Sequence, residues 1–166
     1  SRKSRMEFFD SSKTKQFDAV FDLEIHGGWS GAEPQKSFRI DAKSKYTGDI
    51  EYSLIERKPE ITSFNNFNLR NGGQHSVFDR IQDAAISRLA EGTHIDRMGY
   101  QACIVYLNGA YWGLYGIREK FDEHYVESNH GVDKDEIQLL NREGALVGND
   151  SHFLESHQII TGLNTS

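Results

Sequence analysis

Two segments of the chain carry residue types that could bind an anionic ligand. In the first, Lys36 follows a glycine-rich stretch, 27–31, and begins an alternating segment, 36–41, that is typical of a strand. A lysine on a strand beside a flexible loop can hold the phosphates of a nucleotide. A lysine on an edge strand would explain the same pattern without any ligand, and position alone favours that simpler interpretation.

The second segment, residues 106–119, contains Asn108-Gly109 between two apolar runs and ends in a charged pair, Arg118-Glu119. Asn-Gly in this position is typical of a two-residue hairpin turn. Aromatic residues crowd its second strand. For Trp112 or Tyr115 taken individually, packing in the core is the simpler interpretation.

Metal-ligand patterns are weak throughout the chain. The seven histidines are scattered, whereas a zinc site needs three or four convergent ligands. Asp133, Asp135 and Glu136 resemble a fragment of a calcium loop but lack its glycine and distal glutamate. We therefore predict no metal site.

The single cysteine, Cys103, lies in the apolar run 102–107 and is predicted to be a buried core residue.

Bulk composition excludes several classes of protein. The chain has 166 residues, 37% of them hydrophobic, which is enough for one domain with a core. Its net charge of −6 argues against a nucleic-acid binder. No stretch is long enough to span a membrane and no signal peptide is visible. The abrupt, strand-like start suggests that the chain is a piece of a longer protein.

Periodicity and glycine positions predict an α+β domain with an antiparallel sheet and packed helices. The clearest helix has Phe78, Ile81, Ala85 and Leu89 on one face, with Gly92 near its end. The predicted strands are 6–9, 17–25, 36–41, 52–55, 101–107 and 111–116, with an extended piece at 137–140. The predicted helices are 77–89, 119–128 and 150–160.

Several short motifs resemble those of one known family. Residues 108–115 read Asn-Gly-Ala-Tyr-Trp-Gly-Leu-Tyr and residues 118–122 read Arg-Glu-Lys-Phe-Asp. Together they resemble the NG-x-Y-x-G-x-Y-x-x-x-E-x-x-D signature of the CotH kinase family, which includes spore coat proteins. Pro-Gln-Lys-Ser-Phe-Arg-Ile at 34–40, Leu-Arg-Asn-Gly-Gly at 69–73 and Phe-Asp-Arg at 78–80 resemble further blocks of that family, in the same order.

The resemblance implies the amino-terminal, nucleotide-binding part of an atypical protein kinase with a two-lobed fold. Members of the family bind ATP with Mg²⁺ and phosphorylate serine on other proteins, and many are secreted bacterial proteins, so we expect an extracellular or cell-surface location. The residues assigned to nucleotide binding by the resemblance are Lys36, Arg80, Tyr115, Arg118, Glu119 and Asp122. The first two would lie near the phosphates, and the last three near the adenine and ribose.

Two departures from the family pattern bear on activity. Gly31 stands where the family usually has an arginine after the serine of its Gly-Ser loop. The family's catalytic and metal-binding aspartates lie beyond the equivalent of Asp122, after the end of this chain, and Asp150 is not assigned a catalytic role. We therefore expect that this chain has no catalytic residue and no Mg²⁺ ligand, and that alone it does not transfer phosphate.

Two other functions remain open. The kinase-like scaffold could serve as a non-enzymatic cell-surface or coat interaction module, which the missing loop arginine favours. A carbohydrate-binding sandwich could use Trp29 and Trp112 to stack on sugars, although the predicted helix 77–89 argues against a pure sandwich. An isolated lobe would also expose the apolar surface that faces its partner, so we expect self-association through that surface.

Overall fold

The computed structural model describes residues 1–43, 45–73, 78–141 and 143–163, and for Trp29, Ser30 and Leu163 the backbone alone. The chain divides into two compact units, Ser1–Lys120 and Phe121–Ser166. The first contains β1 Arg2–Phe9, β2 Lys15–His26, β3 Ser37–Asp41, β4 Ile50–Glu51, β5 Ser63–Phe64, β6 Asn66–Arg70, α1 Gln82–Leu89, β7 Tyr100–Leu107 and β8 Ala110–Arg118. The second contains α2 Glu123–His130, β9 Leu139–Asn141, β10 Gly144–Val147 and α3 Ser151–Leu163.

A six-stranded antiparallel sheet dominates the first unit, with the order β1-β2-β3-β6-β8-β7. β4 pairs with β5, and in the second unit β9 pairs with β10. The predicted α+β class with an antiparallel sheet is confirmed. The strand predicted at 52–55 is wrong, because the chain there runs irregularly after β4 and buries Leu54 and Ile55 without sheet pairing.

One face of the large sheet is apolar and forms the core. Phe38 and Ile40 lie directly opposite Leu69 and Phe67, so all four side chains project to the same side. Ile40 and Phe67 are each 1% exposed. Full burial of such a side chain contributes about 1.5–3 kcal/mol. The connection between β3 and β6 covers this face with Ala42, Ile50, Leu54, Ile55, Ile61 and Phe64.

The β7–β8 hairpin turns through Asn108 and Gly109, which have φ values of 51° and 81°. Two successive residues with positive φ are what a type I′ turn requires, and Asn-Gly is its preferred sequence. The predicted hairpin is therefore confirmed. A bulge between Val105 and Tyr106 shifts the pairing near the tip.

Helix α1 begins later than predicted, at Gln82 rather than at 77, and Val77 lies outside the described residues. Arg80 has a φ of 59°, a left-handed conformation that interrupts any helix through 78–80. The Asp79 carboxylate accepts from the backbone N–H groups of Ile81 and Gln82, at 3.2 and 3.3 Å. Asp79 therefore supplies the local hydrogen bonds at the start of this helix.

The second helix also begins later than predicted, at Glu123 rather than at Glu119, because the chain runs irregularly from the end of β8 at Arg118 to Asp122. Asp122 is the N-cap of α2, and its carboxylate accepts from the Tyr125 N–H at 3.1 Å. Gly131 ends the helix with a φ of 67°, at the end that the sequence predicts. The third predicted helix is confirmed as α3. Among the described residues, no helix combines the length and apolar character needed to cross a membrane.

Candidate functional site

The second face of the large sheet carries a row of polar side chains on three adjoining strands. Arg39 on β3 lies opposite Asn68 on β6, and Asn68 lies opposite Arg118 on β8. Directly opposite residues of antiparallel strands project to the same face. Because Phe38 and Ile40 point into the core, alternation places Arg39 and its neighbours on the opposite side of the sheet.

This row contains buried polar atoms without partners. Within the described residues, Nε of Arg39, Oδ1 of Asn68 and Nε of Arg118 are buried and make no hydrogen bond. Asn68 and Arg118 are only 6% and 4% exposed. A buried polar group without a partner costs about 1–3 kcal/mol, so such groups are rare in native structures. Three of them in one row mark a place where a ligand could supply the missing hydrogen bonds.

Positive charge surrounds His26, which lies on the same face opposite Ser37. Burial lowers the pKa of the His26 imidazole, and the nearby cations Arg39, Arg70 and Lys120 lower it further. These groups disfavour another positive charge, which means that they favour an anion in the same place. We call His26, Arg39, Asn68, Arg70 and Arg118 together the basic face.

Helix α1 supplies the negative charge that holds part of the basic face in place. Oδ2 of Asp83 accepts from Nη2 of Arg70 at 2.8 Å and from Nη1 of Arg118 at 3.0 Å. Ser87, one turn later on the helix, accepts from Nη2 of Arg118 at 3.0 Å. Burial lowers the pKa of Arg118, while the Asp83 carboxylate acts in the opposite direction. One carboxylate therefore serves two guanidinium groups.

The same sheet face becomes acidic further along β2 and β3. Asp22 lies opposite Asp41 in the register of these strands. Asp22 accepts from the Tyr46 hydroxyl at 3.1 Å and lies 3.7 Å from Nζ of Lys45. The charge on this face thus changes sign along the strands, and the positive end is the one at which His26 and Arg70 lie.

Three of the residues predicted to bind nucleotide meet in a hydrogen-bond network around Gln35. Nζ of Lys36 donates to the Gly31 carbonyl at 2.7 Å, and the Tyr115 hydroxyl donates to the Lys36 carbonyl at 2.5 Å. Nη1 of Arg80 donates to Oε1 of Gln35 at 2.6 Å. Burial raises the pKa of the Tyr115 hydroxyl, and the neighbouring side chains of Trp112 and Gln35 oppose this shift. We call this group, together with Asn71, the Gln35 network.

Asn71 joins the loop after β6 to the Gln35 network. Its amide donates to the Gln35 carbonyl at 2.5 Å, and its carbonyl oxygen accepts from the Ser37 hydroxyl at 2.8 Å. The next residue, Gly72, has a φ of 101°, and a Cβ there would lie 2.9 Å from Cα of Arg80. Glycine is therefore required, because any other residue would push Arg80 out of place.

Glu119 and Asp122 lie in different surroundings. Oε2 of Glu119 accepts from Nζ of Lys58 and from the Gly99 N–H, both at 2.6 Å. Nζ of Lys58 also donates to the Arg97 carbonyl at 3.0 Å. Glu119 and Lys58 therefore join two loops to the end of β8. Asp122 belongs to the second unit, where it caps α2. A nucleotide-binding role for either acidic residue stays a prediction.

Sequence reasoning included Arg118 but missed the other members of the basic face. The signal was present in the alternation: Arg39 separates Phe38 from Ile40, and Asn68 and Arg70 flank Leu69. What the pattern could not provide was the order of the strands, because β3, β6 and β8 are brought together by long connections. In the sequence, these polar residues are therefore indistinguishable from the solvent-facing side of an ordinary strand.

Cys103 packs against the core cluster and is partly buried. Burial raises the pKa of its thiol to about 12, so the thiolate form that reacts or binds metals is suppressed. Within the ranges that the structure describes, no group of three or more histidine, cysteine, aspartate or glutamate side chains is arranged to hold a metal ion.

A family model described as CotH kinase protein matches residues 23–160, most of the chain. The matched range includes every residue of the basic face and of the Gln35 network. No curated protein and no solved structure was found to match the chain.

Proposed function

This chain belongs to the CotH kinase family, and from that premise we propose that it is the nucleotide-binding part of a kinase that transfers phosphate from ATP to serine on protein substrates. The observation that carries the proposal is the pair of unpartnered buried N–H donors, Nε of Arg39 and Nε of Arg118. Guanidinium groups bind phosphate oxygens through two parallel N–H donors. The basic face would therefore bind the phosphates of ATP.

A surface suited to the adenine base adjoins the basic face. Ala102 lies opposite Gly116, and Ile104 lies opposite Leu114, on the same side of the sheet as Arg118. Ile104 and Leu114 are 60% and 44% exposed. A flat aromatic base gains from burial against such an apolar surface. Nucleotide binding requires hydrogen-bond donors for the phosphates next to an apolar surface for the base.

The Gln35 network would contribute through Lys36, as the family resemblance implies. Its ammonium group lies at 2.7 Å from the Gly31 carbonyl, so it is held by the loop before β3. Rotation of that side chain would free three N–H donors for phosphate oxygens. Magnesium would neutralise charge on the phosphates when bound. Among the described residues no cluster fits that ion, so we assign no residue to it.

Calorimetric titration with ATP, with and without Mg²⁺, tests the proposal. We expect a dissociation constant between micromolar and millimolar, weakened at least about tenfold by Lys36→Ala if that ammonium group reaches a phosphate. Lys43→Ala, at an exposed lysine, is the matched control. No measurable binding to the folded chain would contradict the proposal. A serine-peptide phosphorylation assay on the same sample tests the further prediction that this chain alone does not transfer phosphate.

A second function, a non-enzymatic interaction module at a cell surface or spore coat, is favoured by the tip of the β7–β8 hairpin. Tyr106 and Tyr111 are 61% and 64% exposed and form an edge-on pair with ring centroids 5.8 Å apart. β7 is also an outer strand of the sheet, with one side open to pairing. Sedimentation of wild type and Tyr106→Ser would detect self-association through this tip.

A further inference from the structure

A pocket of about 290 Å³ lies between α1 and the segment that leads into β7. Ile81, Ala84 and Ala85 from the helix line one side, and Met98 and Tyr100 line the other. These side chains give the pocket an apolar interior. We call it the α1 pocket.

Charged side chains at the α1 pocket give it a positive rim. Arg57, Arg88, Arg97 and Glu91 all line it. Nη2 of Arg57 donates to both carboxylate oxygens of Glu91 at 2.9 Å, and Nη2 of Arg97 lies 3.6 Å from Oε1 of the same residue. Hydrogen bonding by Arg57 is the main cause of the lowered pKa of Glu91. One carboxylate thus faces three guanidinium groups.

Arg88 is the rim residue best placed to meet an incoming anion. Its side chain makes no hydrogen bond or ion pair with any residue that the structure describes, although its charge helps to lower the pKa of Glu91. The protein as a whole has a net charge of −6. A local excess of positive charge attracts acidic partners.

The size of the pocket indicates what it could hold. Pockets for drug-sized ligands occupy about 300–1,000 Å³, so this one is at the lower limit and fits one side chain better than a cofactor. An apolar centre surrounded by a charged rim is how a peptide interface places its anchor residue. The exposed surface continues beyond the pocket, since Ile86 and Leu89 of α1 are 59% and 84% exposed.

From this pocket, rim and helix surface we propose that the α1 pocket binds a short acidic segment of a partner protein. One apolar side chain of that segment enters between Ala85 and Tyr100. Carboxylates on either side of the anchor pair with Arg57, Arg88 and Arg97. Binding needs no nucleotide, so the proposal does not depend on the proposed kinase function.

The α1 pocket and the basic face share one helix. Ser87 lines the pocket and also accepts the hydrogen bond from Arg118, and Asp83 lies one turn before it. A segment bound in the pocket would therefore contact the helix that holds two arginines of the basic face. This gives a docked partner a physical route by which to alter the position of those arginines.

Fluorescence anisotropy tests the proposal with a short fluorescein-labelled peptide that has one central phenylalanine flanked on both sides by glutamates. We expect saturable binding to the whole chain that weakens as salt is raised. Binding should weaken at least about tenfold with Ala85→Phe, which fills the pocket, and with Arg88→Glu, which reverses the rim charge. Ala85→Ser and Lys43→Glu are the matched controls and should bind as wild type does.

Two further peptides complete the test. Replacing the phenylalanine by alanine, or the glutamates by lysines, should each reduce binding at least about tenfold, because anchor and carboxylates are both required. The proposal is overturned if the acidic peptide does not bind, if Ala85→Phe binds it as well as Ala85→Ser does, or if the lysine peptide binds equally well. Circular dichroism of each variant confirms that it is folded.

Discussion

Arg70 and Arg118, on neighbouring strands of the sheet, donate to the same carboxylate oxygen, Oδ2 of Asp83, at 2.8 and 3.0 Å. A single negative charge therefore compensates two positive ones. Arg39, on the next strand, lies opposite Glu24 of β2, but among the described residues it forms no ion pair, and its Nε makes no hydrogen bond. Two carboxylates, those of Asp83 and Glu24, thus face three guanidinium groups, so the basic face keeps an excess of positive charge that favours a further anion.

Asp83→Asn should destabilise the chain. Arg118 is 4% exposed and would lose the carboxylate that accepts from it, which costs about 1–3 kcal/mol of unfolding free energy. Urea unfolding followed by tryptophan fluorescence measures the difference. Asp135→Asn is the control, because the Asp135 side chain is 82% exposed and pairs with Lys134 at the surface. Equal midpoints for both variants would show that the shared carboxylate contributes nothing.

The pKa of His26 should report whether an anion binds at the basic face. In the folded protein it lies below the ordinary value of 6.5, first because of burial and then because of Arg39, Arg70 and Lys120. The folded state therefore disfavours protonation of the His26 imidazole. As pH falls below 6.5, this residue lowers the free energy of unfolding. ATP phosphates near these arginines would cancel part of their effect and raise the pKa.

NMR titration of the imidazole resonances, assigned with His26→Gln, measures this shift. Saturating ATP with Mg²⁺ should move the His26 midpoint to higher pH, while adenosine, which lacks phosphates, should leave it unchanged. A His26 pKa that is the same with saturating ATP and without it would place the phosphates elsewhere.

Lys58 and Glu119 form a buried ion pair whose loss should be costly. The two side chains are 7% and 5% exposed, and Nζ lies 2.6 Å from Oε2. Removing one partner leaves the other charge buried, which costs about 3–5 kcal/mol, whereas replacing both by apolar residues costs much less. We therefore expect Lys58→Met to unfold at lower urea concentration than the double variant Lys58→Met/Glu119→Leu. The reverse order would contradict a buried pair.

Cys103 should be unreactive in the folded chain. Burial raises its thiol pKa to about 12, from an ordinary value of 9.0. The thiolate is the form that attacks iodoacetamide and displaces iodide, so alkylation at pH 8 should be at least about a hundredfold slower than in the urea-unfolded chain. Mass spectrometry over time measures both rates. Comparable rates would mean that the Cys103 thiol is exposed to solvent and ionises normally.

Local patterns predicted most of the elements of this fold. The alternation of apolar and polar residues predicted the ends of β2 and β3 to within two residues. The pair Asn108-Gly109 predicted the hairpin turn. The helix starts were missed for specific reasons. Arg80 adopts a left-handed φ that only tertiary contacts such as its bond to Gln35 stabilise, and these are invisible in a local pattern.

The candidate site was only partly predictable. The family motifs pointed to Lys36, Arg80 and Tyr115, which the fold brings into one network. Arg39 was overlooked, since its neighbours in space, Asn68 and Arg118, are far away in sequence. A convergent site on several strands depends on strand order, and no short motif encodes that order.

The affinity of Arg39→Ala for ATP tests the central claim most directly. Arg39 has an unpartnered buried Nε and makes no ion pair within the described chain, so its loss should leave the fold intact and remove a donor to phosphate. We predict that calorimetry finds ATP binding at least about tenfold weaker than in wild type and in the Lys43→Ala control. ATP binding by folded Arg39→Ala with the affinity of wild type would contradict the assignment of the phosphates to the basic face.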